Sequence, residues 1–243
     1  MTKQKARLQE LIYGIHPIVE LLKAKKRKLI TIYTTKPEPK SWNEIARILP
    51  KDVQFQIVAR DVLHRIAGTT DHQGVVAWAT PLVIRKKFFE PSKSPFLVML
   101  DSIQDPRNLG AILRSSYCTG ADGIIITAKQ SAPLNATALK ASAGLAERLE
   151  IYHASTAANA VQELKKAGYA IYFATLNGVD ATTVTFNQPL CLVIGNEAVG
   201  VSKNIVSHGI EVKLPQKAED ISYNASVAAG ILLFLIAQQN HKI

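Results

Sequence analysis

Three stretches of the chain gather amide, guanidinium, carboxylate and hydroxyl groups directly after apolar runs. Asp101–Arg114 (DSIQDPRNLGAILR) follows FLVML and carries Asn108 and, six residues on, Arg114. If a helix opens near Asn108, Arg114 lies well round it and further along, so one element offers both an amide and a guanidinium. The plainer alternative is a solvated helix face with Asn108 as its N-cap. Ile194–Ser202 (IGNEAVGVS) ends a wholly apolar strand, with Gly195 and Gly200 flanking Glu197. An acid between glycines, which allow a close backbone approach, suits ligand binding at a strand end. Leu214–Ser226 (LPQKAEDISYNAS) opens the last apolar helix with Ser222, Asn224 and Ser226, which would serve equally well as cap residues.

Other chemistries lack their residues. No G-x-G-x-x-G follows a strand and no G-x-x-x-x-G-K-[ST] occurs, which removes the main support for a dinucleotide or P-loop site. There is no H-E-x-x-H, no Cys/His cluster and no G-x-S-x-G, so no metal site is expected. Cys118 and Cys191 lie too far apart in sequence to suggest a disulfide framework or a zinc set. Most of the six histidines stand alone; His72, in D-H-Q-G before a strand, is a candidate for a turn that touches RNA.

The elements that must position these groups follow from periodicity. After Pro95 the rhythm is βαβα: FLVML, GIIIT, AIYFA, LCLVIG and IEVKL are short apolar runs of the kind buried in a parallel sheet. Helical segments separate most of them, including Leu109–Thr119, Thr156–Ala167 and Asn224–Gln239. All three polar stretches therefore fall beyond strand ends, where parallel α/β sheets bind ligands. Upstream, HPIVELLKAK, SWNEIARIL (with Ser41 as N-cap) and DVLHRIAG (closed by Gly68) read as helices, and LITIYTT, VQFQIV and GVVAWA as strands. A small α/β domain over residues 1–81 and a parallel-sheet α/β domain over 96–243 are expected. Between them, residues 82–95 (LVIRKKFFEPSKSP) break the periodicity with charges, serines and two prolines and read as a linker, the alternative being a basic edge strand at Leu82–Phe89.

Of the 243 residues, 47% are hydrophobic and 20% charged, so a core can form and a disordered or fibrous chain is excluded. The net charge of +10 is unevenly placed: residues 1–96 hold 18 basic and 8 acidic side chains, residues 97–243 hold 11 of each. The first part is expected to meet a polyanion. Lys23, Lys25, Lys26, Arg27 and Lys28 at the end of the first helix, and Arg85, Lys86 and Lys87 in the linker, are the candidate phosphate ligands, against the alternative of a solvated charged face. The longest apolar run, Val227–Ala237, is eleven residues, short of the ~20 that span a bilayer. The N-terminus lacks an apolar signal core. No membrane association and a reducing, cytoplasmic setting are the simplest expectation.

Taken together, DPRNLGAILR, VIGNEAVGVS and LPQKAEDISYNASVAAGILLF resemble, in that order, the three motifs of the SpoU/TrmH branch of the SPOUT methyltransferases. Those enzymes methylate RNA ribose 2′-oxygens with S-adenosylmethionine. IYGIHPIVELL and DHQGVVAWA resemble the family's N-terminal RNA-binding domain, built like a small ribosomal protein, and LNATALKASAGLAERLEI the stretch after the first motif, so nearly the whole chain is covered. The nearest likeness is to bacterial members that modify a guanosine of 23S rRNA. Alternatives are a tRNA ribose methyltransferase of the same branch, or an RNA-binding protein that keeps the fold without the chemistry.

The resemblance implies a C-terminal trefoil knot, one of the exceptions to unknotted connections, and a homodimer that assembles the site from two protomers. It places Asn108, Arg114, Glu197, Ser222 and Asn224 in the catalytic constellation. It also places the cofactor against backbone at Gly195, Leu214 and Tyr223, with Thr175 nearby. Arg114 is expected to grip the target phosphate and stabilise the forming alkoxide, with Glu197 and Asn224 orienting it and the ribose, and Ser222 holding Asn224 or the substrate. The chain departs from the family pattern at Gln216 and Ala218, where Met and Gly are usual, and at Tyr223-Asn224-Ala225, often Leu-Asn-Val; the cofactor loop is expected to be shaped accordingly.

Overall fold

The computed structural model describes residues 9–217 and 221–243. In chain order the elements are β1 (Glu10–Tyr13), α1 (Ile15–Ala24), β2 (Leu29–Thr34), α2 (Trp42–Ala46), β3 (Gln54–Ile57), α3 (Arg60–Ala67) and β4 (Val75–Ala79). They continue with β5 (Phe96–Leu100), α4 (Pro106–Cys118), β6 (Gly123–Thr127), α5 (Ala136–Ala141), a 3₁₀ turn (Leu145–Arg148), β7 (Ile151–Ala154) and α6 (Ala157–Ala167). The last are β8 (Ala170–Asp180), β9 (Leu190–Ile194), α7 (Lys203–Val206), β10 (Ile210–Lys213) and α8 (Ala225–Gln239). Two compact units result: the chain up to Val83 joined by Leu134–Arg148, and Ile84–Pro133 joined by Leu149–Ile243.

The first unit is a four-stranded sheet in the order β1-β4-β2-β3, antiparallel except for the β2–β3 pair. β1 is a strand that periodicity misses, because ELIY is too short to show a repeat. Ile12, Ile18, Ile32, Ile45 and Val75 are fully buried. A second cluster joins Tyr13, Val76, Leu63 of α3 and Ala136 of α5. The excursion Leu134–Arg148 is bound to this unit by charge as well as by packing. Arg27 Nε donates to both carboxylate oxygens of Glu147 at 3.1 and 3.0 Å, and its Nη1 donates to Glu10 Oε2 at 2.8 Å and the Thr80 carbonyl at 2.9 Å. The Arg27 and Glu147 side chains are 1% and 0% exposed. Arg27 is thus a structural ion rather than a phosphate ligand, and Lys26 donates to the Arg148 carbonyl at 3.2 Å. Of that basic cluster Lys23, Lys25 and Lys28 remain exposed.

His72 is fully buried, and its Nδ1 accepts the Gly74 N–H at 2.9 Å. It therefore shapes the turn before β4 and offers nothing to RNA. Burial, with the neighbouring His64 adding to it, holds its pKa below the ordinary 6.5.

The second unit is a six-stranded, wholly parallel sheet in the order β10-β8-β9-β5-β6-β7. Every residue of β5, β6 and β9 is buried, as continuous apolar runs require. Leu97, Met99, Ile125, Leu164, Phe173 and Val193 lie in its core, with Phe89 buried among them. A Cβ on Gly123 would fall 2.2 Å from the Phe89 ring, so glycine leaves room for it. The stretch 82–95 also extends the sheet by one residue: Arg85 N–H donates to the Ile151 carbonyl at 2.7 Å and Arg85 pairs with Tyr152 in parallel. β8 pairs with β10 at Phe173–Glu211 and resumes at Val179–Val212, so residues 174–178 bulge out of the ladder. Among the described residues no helix is long and apolar enough to cross a membrane.

Candidate cofactor and RNA site

At the bulge of β8 and the loops after β9 and β10 the second unit opens a cavity of about 530 Å³. Its walls are Ala174–Asn177, Ile194–Val201, the end of β10 and the first turns of α8. Thr175, Gly195, Leu214 and Tyr223, the four residues assigned to the cofactor, all line it, as do Glu197 and Ser222. Asn108, Arg114 and Asn224 are not among the lining residues.

Local chemistry explains this shape. A Cβ on Gly195 would lie 2.2 Å from the Gly200 carbonyl carbon, so only glycine lets the loop close on itself. Asn196 and Gly200 exchange backbone hydrogen bonds at 3.0 and 2.9 Å, and Gly200 takes φ 73°. Asn196 Oδ1 accepts the Ala198 N–H at 2.9 Å and its Nδ2 donates to the Ser102 carbonyl at 2.7 Å. Asp101 Oδ2 accepts the Ser202 N–H at 2.8 Å, tying the loops after β5 and β9 together. Asn196 and Asp101 lay in view within the first two polar stretches, but their positioning roles depend on which strands become neighbours.

α4 begins at Pro106 with Asp105 as its N-cap, accepting the Arg107 N–H at 2.8 Å, two residues earlier than the sequence suggested. Asn108 is therefore no cap. It is buried in the first turn and donates through Nδ2 to Glu197 Oε1 at 3.0 Å. Glu197 also accepts the Gln104 and Asp105 N–H groups at 3.2 and 3.3 Å. Partial burial pushes the Glu197 carboxyl up, but these hydrogen bonds outweigh it and hold the pKa below the usual range. The Arg114 side chain is exposed and makes no hydrogen bond or ion pair with any described residue. Within one chain, Glu197 thus orients Asn108 and not Arg114. Asn224 is the N-cap of α8, accepting from Ser226 N–H at 2.9 Å and Ser226 Oγ–H at 2.6 Å. Gln216 Nε2 donates to the Ile221 carbonyl at 3.2 Å, bracing the loop at one of the atypical positions. Ala218 lies outside the described residues.

The cavity suits S-adenosylmethionine in chemistry. The Thr175 hydroxyl is buried with no hydrogen-bond partner among the described residues, as a group awaiting a polar ligand atom would be. Ile194, Val201 and Leu232 supply apolar wall for an adenosine. Lys203 and Glu211, which sequence reasoning missed, also line it. Among the described residues no group of three or more His, Cys, Asp or Glu is arranged to hold a metal.

Comparison with known proteins agrees. The SpoU rRNA Methylase family matches residues 95–234, and the RNA 2′-O ribose methyltransferase substrate-binding domain matches residues 11–83. A 23S rRNA (guanosine-2′-O-)-methyltransferase, RlmB of Haemophilus ducreyi, is 30% identical over 96% of this chain and 98% of its own. An uncharacterized tRNA/rRNA methyltransferase of Mycobacterium avium is 30% identical over 95% of this chain and 77% of its own. Among solved structures, the SpoU methyltransferase AviRb of Streptomyces viridochromogenes in complex with AdoMet superposes with a TM-score of 0.80 at 22% identity, covering 98% of this chain and 92% of that one. The AdoMet-bound rRNA methyltransferase of Sinorhizobium meliloti gives 0.79 at 24%, covering 97% and 89%.

Proposed function

The chain belongs to the SpoU rRNA methylase family, an RNA 2′-O-methyltransferase that uses S-adenosylmethionine, and on that premise we propose that its target is a guanosine of 23S rRNA. The observation that carries the site reading is the cavity at the bulge of β8 and the ends of β9 and β10, where Thr175, Gly195, Leu214 and Tyr223 meet. The identity of the RNA rests on the near full-length likeness to enzymes named for that guanosine. Residues 1–81 present the RNA, residues 96–243 carry the chemistry, and 82–95 connect them. The protein works in the cytoplasm.

When bound, S-adenosylmethionine supplies a methyl group on a sulfonium, open to in-line displacement by an oxygen nucleophile. The chain's own residues do the rest. Thr175 and the backbone at Gly195, Leu214 and Tyr223 fix the cofactor. Glu197 holds the Asn108 amide in one orientation. Arg114, whose guanidinium stays protonated and makes a poor base, grips the phosphate of the target nucleotide in a bidentate fashion and stabilises charge growing on the ribose oxygen. Asn224 and Ser222 orient the ribose. Holding the hydroxyl in line is worth about 7–11 kcal/mol.

A homodimer completes the site. The Arg114 side chain has no hydrogen-bond or ion-pair partner among the described residues and does not line its own cavity. On α8, Val227, Ile231 and Phe234 are 49%, 38% and 52% exposed at a spacing that sets them on one stripe, an apolar face for a second copy. The trefoil knot belongs to the same reading: α8 follows the edge strand β10 yet packs against α4, which follows the central strand β5.

The test is to incubate the protein with methyl-labelled cofactor and either unmodified 23S rRNA or bulk tRNA. Protection of a single guanosine linkage in 23S rRNA from alkaline cleavage is expected. Label confined to tRNA, or absent from both, overturns the assignment.

A further inference from the structure

Three charged side chains line the cavity: Glu197, Lys203 and Glu211. Glu197 is already engaged by Asn108 and two backbone amides. The side chains of Lys203 and Glu211 make no hydrogen bond or ion pair with any described residue, although they carry opposite charges and border one space. Their attachment points are fixed. Glu211 is the last β10 residue before the register shift, and Gly178 at the end of the bulge runs so close that a Cβ there would lie 2.4 Å from the Glu211 carbonyl carbon. Lys203 follows Ser202, whose N–H is held by Asp101, and precedes the fully buried Ile205.

Two opposite free charges standing apart on rigid backbone suit a ligand that carries both. The adenosine part of the cofactor is neutral, but its amino-acid end is a zwitterion. We propose that Lys203 and Glu211 read that end, the lysine ammonium meeting the α-carboxylate and the glutamate carboxylate meeting the α-ammonium. The pair sets cofactor specificity: it rewards ligands with the amino-acid tail over those that end at the thioether. This rests on the cavity being the cofactor site.

Calorimetry with S-adenosylhomocysteine and 5′-methylthioadenosine, which lacks the tail, tests it on the full-length protein. Wild type should favour the homocysteine compound. Lys203→Gln and Glu211→Gln should each weaken it about tenfold, the scale of one charge-assisted hydrogen bond, and leave methylthioadenosine within about twofold. Equal weakening of both ligands by Glu211→Gln would move that carboxylate to the ribose hydroxyls and overturn the proposal, as would no change in either variant. Gly195→Ala separates the two levels: it should cost both ligands affinity, and unaltered binding would sink the cavity reading itself.

Discussion

Arg27 in the first unit and Arg114 in the second both sit in polar stretches that the sequence offers to RNA, yet the fold treats them in opposite ways. Arg27 is buried and saturated by Glu147, Glu10 and the Thr80 carbonyl. The Arg114 guanidinium is exposed and makes no hydrogen bond or ion pair with any described residue. The contrast extends to the neighbours: the first unit buries His72 and Glu147, while the second leaves Lys203 and Glu211 open at its cavity. A charge with partners holds the fold, and a charge without them is available to a ligand. Net charge locates neither. Of the +10 in residues 1–96, residues 9–83 carry only +4; residues 1–8 and 84–96 carry +3 each.

The sharpest way to break this comparison is at the buried pair. Arg27→Ala strands Glu147 without its counter-ion and should cost about 3–5 kcal/mol, read from urea unfolding, whereas Arg27→Met with Glu147→Leu should recover most of it. A cost below about 1 kcal/mol for the single variant would make Arg27 an ordinary surface ion. Arg114→Lys should leave unfolding and cofactor binding almost unchanged while lowering turnover about 100- to 1000-fold. Near-normal turnover would remove the bidentate role. Glu197→Gln should lower turnover less, because Glu197 acts through Asn108.

Neutralising the exposed lysines comes next in size. Lys23→Gln, Lys25→Gln and Lys28→Gln together should flatten the slope of log K for RNA against log salt, with stability retained. The change is about 0.7–0.9 for each phosphate that is no longer neutralised. An unchanged slope would shift RNA binding to the charges of residues 1–8 and 84–96. The smallest effects are in pH. His72 has a folded pKa below 6.5, so the unfolded chain binds more protons and stability, full above 6.5, falls as pH drops through and below that value. His72→Asn keeps an acceptor for the Gly74 N–H and should flatten this fall, and an identical profile would acquit His72. Glu197 is likewise depressed, but as an acid: its contribution is present above 4.5 and is lost only as pH falls below it.

The second unit was the more legible in sequence, since β5, β6, β8 and β9 each contain an uninterrupted apolar run that only a covered parallel sheet explains, whereas the edge strand β10 (IEVK) alternates apolar and charged residues. β1 and β7, at four residues each, carry no period, and α5 was hidden in a stretch recognised by likeness alone. In the site, Thr175, Leu214 and Tyr223 came from the resemblance rather than from their own chemistry. Lys203 and Glu211 had no signal, because their place on the cavity depends on a bulge between Phe173 and Val179 that pairing with β10 creates. Arg27 misled for the same reason: its partner Glu147 is 120 residues away.

That separation bears on synthesis. On the ribosome, the chain through Val83 emerges with every strand of its sheet and with Glu10 beside Arg27, but without α5, the 3₁₀ turn and the buried counter-ion Glu147. At ~5–20 residues per second, the wait from Val83 to Arg148 is roughly 3–13 seconds. During it the nascent sheet lacks Ala136 on its cluster, and the Arg27 guanidinium bound for its interior has Glu10 but not Glu147 to satisfy it. The N-terminal unit is first to be made, but it is completed only after the core strands β5 and β6 of its neighbour have been translated.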